Sequence, residues 1–230
     1  MLTKFDEQEL RAILHSYIDK HCIFRCDPDV QYAPGIPKGT LPSSAPGKYS
    51  TWQFYLRRLT QNGDFMSAVS MLLYMEFQRR NEPKEGFQVA GLETSSIPMV
   101  SFVQGHLRQH GYYFDSFTVR KDRKGYGLFN FVDGRPNQLP VMVFDDLVHS
   151  GGSIIRVLDT ALYEYNLDPH PRAYCIINIH EQMRHTLFNG FPIEIVSLFD
   201  RSHFDFRYDP KKYWVPDDCQ KLVNYRPNYR

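Results

Sequence analysis

The fold of this 230-residue chain is decided at residues 141–153, which read Val141-Met142-Val143-Phe144-Asp145-Asp146-Leu147-Val148-His149-Ser150-Gly151-Gly152-Ser153. The four apolar residues at 141–144 predict a buried strand. The glycines that follow predict a turn, and Ser153 is the expected N-cap of a helix after it. A fully apolar strand that leads into a helix is typical of α/β proteins whose parallel sheet is covered on both faces.

The same segment has the composition of an anion site. Backbone N–H groups of a glycine-rich turn can converge on one point, and the start of a helix adds partial positive charge there. Asp145 and Asp146, called the acid pair below, can bind sugar hydroxyls or a hydrated divalent cation. These features together predict a phosphorylated sugar as the ligand. The alternative is that the acids end a strand and the glycines only form a turn.

Other phosphate motifs are absent from the sequence. The chain contains neither a Gly-x4-Gly-Lys-Ser/Thr P-loop nor a Gly-x-Gly-x-x-Gly motif after a strand. A nucleoside triphosphatase of the P-loop type and a dinucleotide-binding domain of the usual type are therefore not expected.

Apolar runs and helical patterns alternate on both sides of this segment. Strands are predicted at 87–91, 113–119, 141–144, 174–179 and 193–198. One helix is predicted from an Asp64 cap to about residue 80, others from near Pro98 to Gly111, from Ser153 onward, and briefly before Gly190. Residues 120–138 are polar and predict a long loop. The pattern predicts a mostly parallel sheet of about five strands flanked by helices, with ligands bound beyond the carboxyl ends of the strands.

The two ends of the chain have a different character. Residues 6–9 predict a helix start of the capping-box type, with an apolar stripe behind it formed by Leu10, Ile13, Leu14, Tyr17 and Ile18. Residues 27–48 contain five prolines and exclude a helix or a central strand. We therefore divide the chain into an N-terminal helix and Pro-rich arm or hood (1–48), an α/β domain (49–203) and an aromatic C-terminal extension (204–230). The extension is expected to pack on the protein, and stacking on single-stranded nucleic acid is the alternative.

Composition limits the classes of partner. The formal net charge of +1 gives no overall attraction to nucleic acid or to a membrane surface. No apolar run approaches the ~20 residues of a membrane span, and residues 1–9 do not resemble a secretory signal. Four cysteines are too few for a disulfide scaffold, so a cytoplasmic protein with reduced thiols is expected. His21, Cys22 and Cys26 lack an evident fourth partner for a zinc site.

Residues 141–153 resemble the phosphoribosyl-diphosphate signature of the type I phosphoribosyltransferases. Two further segments resemble the orotate phosphoribosyltransferases of that family: residues 117–127 resemble their mobile loop, and residues 91–98 resemble their diphosphate loop. Residues 49–56 are similar to their hood segment, and 195–199 fit their last strand. These resemblances cover about residues 48–200 in the family's order.

The resemblance implies a donor site for 5-phosphoribosyl diphosphate. Its phosphates would contact Glu93, Thr94, Ser95, Ser96, Arg120, His149, Ser150, Gly151, Gly152 and Ser153. The groups implied in catalysis are Lys121, Arg123, Lys124, Asp145 and Asp146. Mg²⁺ would be bound through the substrate and water, without a direct protein ligand. The resemblance also implies a homodimer.

The base site departs from the family pattern. Orotate enzymes carry a lysine before the hood segment, which residues 43–47 lack, and an arginine where this chain has His180. The histidine of the mobile loop is replaced by Tyr126. A substrate carboxylate is best held by a permanently charged bidentate partner, so a pyrimidine-like base other than orotate is expected at Tyr126 and His180. The alternative function is a catalytically altered nucleotide sensor or effector, acting with a protein or nucleic-acid partner.

Overall fold

The computed structural model describes residues 6–43, 47–122, 131–180 and 185–210, the last range without the side chains of 185–187. The chain forms two compact units. One comprises Leu59–His203 together with the chain up to Leu14, and the other comprises His15–Arg58 together with the chain from Phe204. No helix in the described parts of the chain is long and apolar enough to span a bilayer.

Four α-helices are described: α1 (Glu7–His21), α2 (Gly63–Arg79), α3 (Ser96–Gln109) and α4 (Gly152–Tyr165). The capping box predicted for α1 is confirmed, because the Glu9 N–H donates to Asp6 Oδ1 at 2.8 Å and the Asp6 N–H donates to Glu9 Oε2 at 3.3 Å. The apolar stripe is narrower than predicted. Leu10, Leu14 and Ile18 are buried, whereas Ile13 and Tyr17 are about two-fifths exposed.

The described part of the second unit contains four short strands: β1 (Ile23–Arg25), β2 (Leu41–Pro42), β3 (Tyr49–Ser50) and β4 (Trp52–Phe54). β1 pairs with β4 and β2 pairs with β3, both antiparallel. The described part of the C-terminal extension packs on β4, since the rings of Trp52 and Phe206 lie 4.1 Å apart and those of Phe54 and Phe204 lie 5.6 Å apart. Arg25 is buried in this unit and donates to the Asp205 carbonyl at 2.7 Å through Nε.

The first unit is built on a seven-stranded sheet. Its strands are β5 (Gln88–Leu92), β6 (Ser116–Val119), β7 (Val132–Gly134), β8 (Val141–Val148), β9 (Pro169–Asn178), β10 (His185–Phe188) and β11 (Phe191–Asp200). Their order is β10-β11-β9-β8-β5-β6-β7. The five central strands are parallel, as the sequence predicts, and the two edge strands are antiparallel.

Both faces of this sheet are covered. On one face, apolar residues of α4, including Ile154, Val157 and Leu158, join a buried cluster with residues of β8, β9 and β11. On the other, α2 and α3 pack against each other, and Phe77 of α2 makes ring contacts with Phe144 and Tyr174. Burial on both faces explains why these strands are apolar throughout rather than at every second residue.

Several local predictions were wrong. Asn62, not Asp64, caps α2, and its side chain accepts a hydrogen bond from the Phe65 N–H. Residues 185–188 form a strand where the sequence predicts a helix, and the predicted loop 120–138 contains β7. Ser153 is not the cap of α4, which begins at Gly152 after Gly151. β7 and β10 are short edge strands that contain polar residues, so neither has the continuous apolar run by which the central strands are recognised.

The order of the described strands creates a topological switch point between β5 and β8, where the connections that leave two adjacent strands run in opposite directions. From β5 the chain crosses through α3 to β6 on one side, and it later returns to β8 on the other side of β5. Segments that leave the carboxyl ends of β5 and β8 therefore diverge from adjacent strands. In open α/β sheets, the crevice at such a point is where ligands bind.

Candidate functional site

The acid pair lies inside β8 rather than after it, which corrects the predicted end of this strand at Phe144. Pairing with β9 continues past the apolar run, with Asp145 opposite Cys175 and Val148 opposite Asn178. Asp145 and Asp146 are only 5% and 8% exposed. Two carboxyl groups are thus held on rigid backbone at the carboxyl end of a central strand.

Asp145 has an electrostatic environment that disfavours its charge. Burial raises its pKa well above the ordinary value, and the charge of neighbouring Asp146 raises it further. The Asp146 N–H, which donates to Asp145 Oδ1 at 3.0 Å, and a hydrogen bond with the Ser153 side chain act in the opposite direction. Burial raises the pKa of the Cys175 thiol, and the charges of Asp145, Asp200 and Asp146 raise it further. The pair is therefore suited to hold a proton, a hydroxyl donor or a cation.

The turn after β8 places glycine where the backbone requires it. Gly151 has φ of 74° and precedes α4 in the left-handed conformation that a side chain disfavours. His149, Ser150 and Gly152 are exposed. The first N–H groups of a helix have no acceptor within it, so the start of α4 offers donors next to the acid pair.

The loop between β5 and α3 is close to β8 because Gly91 has no side chain. A Cβ at Gly91 would lie 2.4 Å from Ser96 Oγ and 2.9 Å from the Phe144 carbonyl oxygen. Ser96 is buried, and its hydroxyl donates to the Leu92 carbonyl. Thr94 is exposed and Ser95 half-buried, so of the predicted phosphate contacts in this loop these two hydroxyls are the ones accessible to a ligand. The Glu93–Thr94 peptide bond is cis.

The end of β6 is tied to this loop. The Glu93 N–H donates to the Val119 carbonyl at 2.8 Å, and Glu93 Oε1 accepts from the Lys121 N–H at 2.8 Å. Arg120 pairs with Asp133 of β7 and lies 3.9 Å from Glu93 Oε2. The Lys121 side chain is exposed. The sequence does not identify Asp133, because it predicts a loop where the structure has β7.

The remaining predicted residues are placed as follows. His180 is exposed just beyond the carboxyl end of β9, and its N–H donates to the Asn178 side chain at 3.1 Å. It therefore lies at the same edge of the sheet as the acid pair. Arg123, Lys124 and Tyr126 lie outside the described residues.

The acid pair fits a divalent cation that is bound mainly by the substrate and by water. Within the described ranges, no three or more His, Cys, Asp or Glu side chains are grouped to hold a metal. Asp145 and Asp146 nevertheless offer adjacent buried carboxylates at one strand end. Mg²⁺ is commonly bound by one or two carboxylates together with water and substrate phosphates, which is the arrangement that such a pair permits.

Sequence comparison finds relatives over about half of the chain. An orotate phosphoribosyltransferase from Rhizobium rhizogenes is 30% identical over 103 residues, which are 44% of this chain and 42% of that protein. An orotate phosphoribosyltransferase from Sulfolobus acidocaldarius is 25% identical over 118 residues, 49% of this chain and 53% of that protein. The chain thus spans about half the length of the curated relatives it matches. No family model matches.

Solved structures match more of the chain. The orotate phosphoribosyltransferase of Aeropyrum pernix has a TM-score of 0.59 at 21% identity and covers 84% of this chain and 94% of its own. That of Mycobacterium tuberculosis, in complex with Fe(III) dicitrate, has a TM-score of 0.60 at 16% identity, covering 84% and 98%. Adenine phosphoribosyltransferase of Trypanosoma brucei, with AMP, pyrophosphate and ribose-5-phosphate, has a TM-score of 0.56 at 12% identity, covering 94% and 92%. The chain therefore has the type I phosphoribosyltransferase fold, and its predicted resemblance to the orotate phosphoribosyltransferases is confirmed.

Proposed function

We propose that this protein binds 5-phosphoribosyl diphosphate and transfers the 5-phosphoribosyl group to a nitrogenous base, with release of diphosphate. The observation that carries the proposal is the meeting of two loops at the switch point of the sheet. The loop after β5 and the glycine turn after β8 leave adjacent parallel strands, and the acid pair lies on the second of them. The relatives named above are phosphoribosyltransferases, which supports the same chemistry.

The donor's 5-phosphate matches the turn at 149–153. The start of α4 supplies backbone donors, and Ser150 adds an exposed hydroxyl. The acid pair is next to this turn in the chain, where carboxylates can accept hydrogen bonds from ribose hydroxyls. This combination favours a phosphorylated sugar over a free phosphate ion, because a phosphate alone gains nothing from buried carboxylates.

The leaving diphosphate matches the loop after β5 and the end of β6. Thr94 and Ser95 present accessible hydroxyls there, and Lys121 carries an exposed ammonium group. Positive charge at the departing group stabilises the transition state of its release. Mg²⁺, bound through the diphosphate and ribose with the acid pair steadying its waters, would supply further positive charge.

The acceptor is proposed to be a pyrimidine-like base without a carboxylate. By the resemblance, His180 stands where the orotate enzymes carry an arginine, and an imidazole cannot bind a carboxylate through two parallel hydrogen bonds as a guanidinium does. Orotate is therefore expected to be a poor substrate. By the same resemblance, the active species is proposed to be a homodimer.

The test is turnover with a panel of bases. The protein is incubated with 5-phosphoribosyl diphosphate, Mg²⁺ and orotate, uracil, cytosine or adenine in turn, and diphosphate release is measured alongside donor binding by calorimetry. Asp146→Asn should lower kcat/KM by about 100-fold or more, as loss of a positioned polar group in a catalytic site does. Asp168→Asn is the matched control, because Asp168 is exposed and precedes β9 at the opposite edge of the sheet.

The outcomes separate two functions. Turnover with one base that Asp146→Asn abolishes supports the transferase. Tight donor binding without turnover of any base instead supports a sensor with the same fold, the alternative that the altered base site favours. If no phosphorylated ribose binds, both functions are contradicted.

A further inference from the structure

Glu93 is an acid in a loop that is proposed to receive diphosphate, and its one backbone donor is already used. Its N–H is bonded to the Val119 carbonyl at 2.8 Å. Its carboxylate accepts the Lys121 N–H at 2.8 Å through Oε1, while Oε2 lies 3.9 Å from Arg120 Nη2. A carboxylate repels a diphosphate, so this residue has another role than anion binding.

Arg120 is held by two carboxylates, but its hydrogen-bonding capacity is not fully used. Its side chain is 26% exposed, and its guanidinium pairs with Asp133 and, at longer distance, with Glu93. Its Nε is buried and has no hydrogen-bond partner among the residues that the structure describes. Because the buried Nε is closed to a ligand, a phosphate oxygen would reach this guanidinium at its Nη atoms, and Nη2 is the one that lies 3.9 Å from Glu93 Oε2.

We propose that Glu93 is a positioning residue that fixes Arg120 and Lys121 beside the loop after β5 and competes with diphosphate for Arg120. The inference rests on the proposed function for its ligand. The hydrogen bond from the Lys121 N–H to Glu93 Oε1, which we call the anchor, rests on the described contacts alone. It assigns Glu93 to the loop's geometry instead of to direct phosphate contact. The consequence is that one side chain orders the cationic segment and also weakens diphosphate binding by its charge.

The two roles can be separated by two substitutions. Glu93→Gln keeps an oxygen that can accept the Lys121 N–H, but it removes the charge. Glu93→Ala removes both. Glu85→Gln and Glu85→Ala are the matched controls, because Glu85 is exposed in the turn that precedes β5, at the other end of the same strand.

The anchor is tested by amide hydrogen exchange of Lys121 in the full chain, measured by NMR without any ligand. Loss of the acceptor in Glu93→Ala should speed the exchange of this amide by about tenfold, the usual weight of a hydrogen bond to a charged group. Glu93→Gln should restore most of the protection, and the Glu85 variants should leave it unchanged. Equal exchange rates in the wild type and Glu93→Ala would overturn the proposal.

The competition is tested by calorimetric titration of magnesium diphosphate. Glu93→Gln should bind it about threefold or more tightly than the wild type, because a like charge is removed near the site. With the preferred base, Glu93→Ala should lose about tenfold in kcat as Arg120 and Lys121 lose their placement, and this loss should be larger than that of Glu93→Gln. A merely structural residue would lower the stability of both variants without this division between binding and turnover.

Failure of this inference differs from failure of the proposed function. If the wild type binds neither 5-phosphoribosyl diphosphate nor diphosphate, the proposed function and the competition are both contradicted. The amide exchange experiment then still tests whether Glu93 holds the Lys121 N–H. If the wild type turns over but Glu93→Gln binds diphosphate no more tightly, the competition is overturned and the transferase stands.

Discussion

Asp145 and Asp146 share a buried strand end, where ionisation of both groups has a free-energy cost that folding must offset. Burial, and then the neighbouring charge, raise the pKa of Asp145. In the unfolded chain an aspartate has a pKa of about 3.9, so the folded protein binds its proton more tightly. This contribution to stability is complete below the unfolded pKa and is lost as pH rises through the folded pKa.

Asp145→Asn should therefore change the pH dependence of stability. At pH 8 the variant should be more stable than the wild type by about 0.5–2 kcal/mol, a usual gain when strain at a functional site is relieved. The difference should shrink as pH falls toward 4, where Asp145 holds its proton in the wild type. Urea unfolding of both proteins from pH 4 to pH 8 measures it, with Asp168→Asn as a control that should show no such trend. A difference that grows toward low pH would contradict the raised pKa.

Gly91 sets the spacing between the two loops of the site. A Cβ at this position would meet Ser96 and the Phe144 carbonyl at distances that atoms do not adopt. Gly91→Ala should cost about 1–3 kcal/mol, the range for overpacking in a core, and should weaken donor binding. Gly105→Ala is the control, because nothing lies within 4 Å of a Cβ there and alanine favours the interior of α3 by about 1 kcal/mol. Urea unfolding compares the two; an equal effect of both substitutions would contradict the close approach.

At the scale of elements, the start of α2 shows which of two residues, Asn62 or Asp64, acts as the N-cap of a helix. Asn62→Ala should lower stability by about 1 kcal/mol, since Asn62 Oδ1 accepts the Phe65 N–H at 2.9 Å. Asp64→Ala should cost less, because Asp64 lies in the first turn and contributes only through the helix dipole, about 0.3–1 kcal/mol. Chemical denaturation of both variants measures the two losses in the free energy of unfolding. A larger loss for Asp64→Ala would favour Asp64 as the cap, as the sequence predicts.

The central strands could be predicted because their apolar runs reflect burial on two faces. β8 was predicted too short, since its last residues include two carboxylates and no local rule anticipates acids in a buried strand. Their burial depends on the neighbouring strand β9, which is distant in sequence. Glu93 illustrates the same limit at the site: its position in the loop after β5 was predictable, but its bond to Lys121 depends on the parallel pairing of β5 with β6.

At the scale of the whole molecule, a net charge of +1 means that a polyanionic ligand must be attracted by a local site. The proposed donor site consists of residues from β5, β6 and β8 with the loops that follow them, all in one of the two compact units. Two units need not unfold in a single transition, so a melting temperature alone is a poor measure of ligand binding. Amide exchange in the strands of the site-bearing unit reports on that unit directly.

Donor binding should therefore protect the core strands of this unit. At a concentration of 5-phosphoribosyl diphosphate about 100 times its Kd, with Mg²⁺, linkage adds about 2.7 kcal/mol to the free energy of unfolding. Amides of β5 and β8 that exchange only through unfolding of the unit, such as those of Ala90 and Val143, should then exchange about 100-fold more slowly. Asp146→Asn should lose most of this protection, and Asp168→Asn should keep it. Equal protection in Asp146→Asn would mean that the ligand is held elsewhere, because a carboxylate that contacts the ribose or its metal cannot be neutralised without loss of affinity.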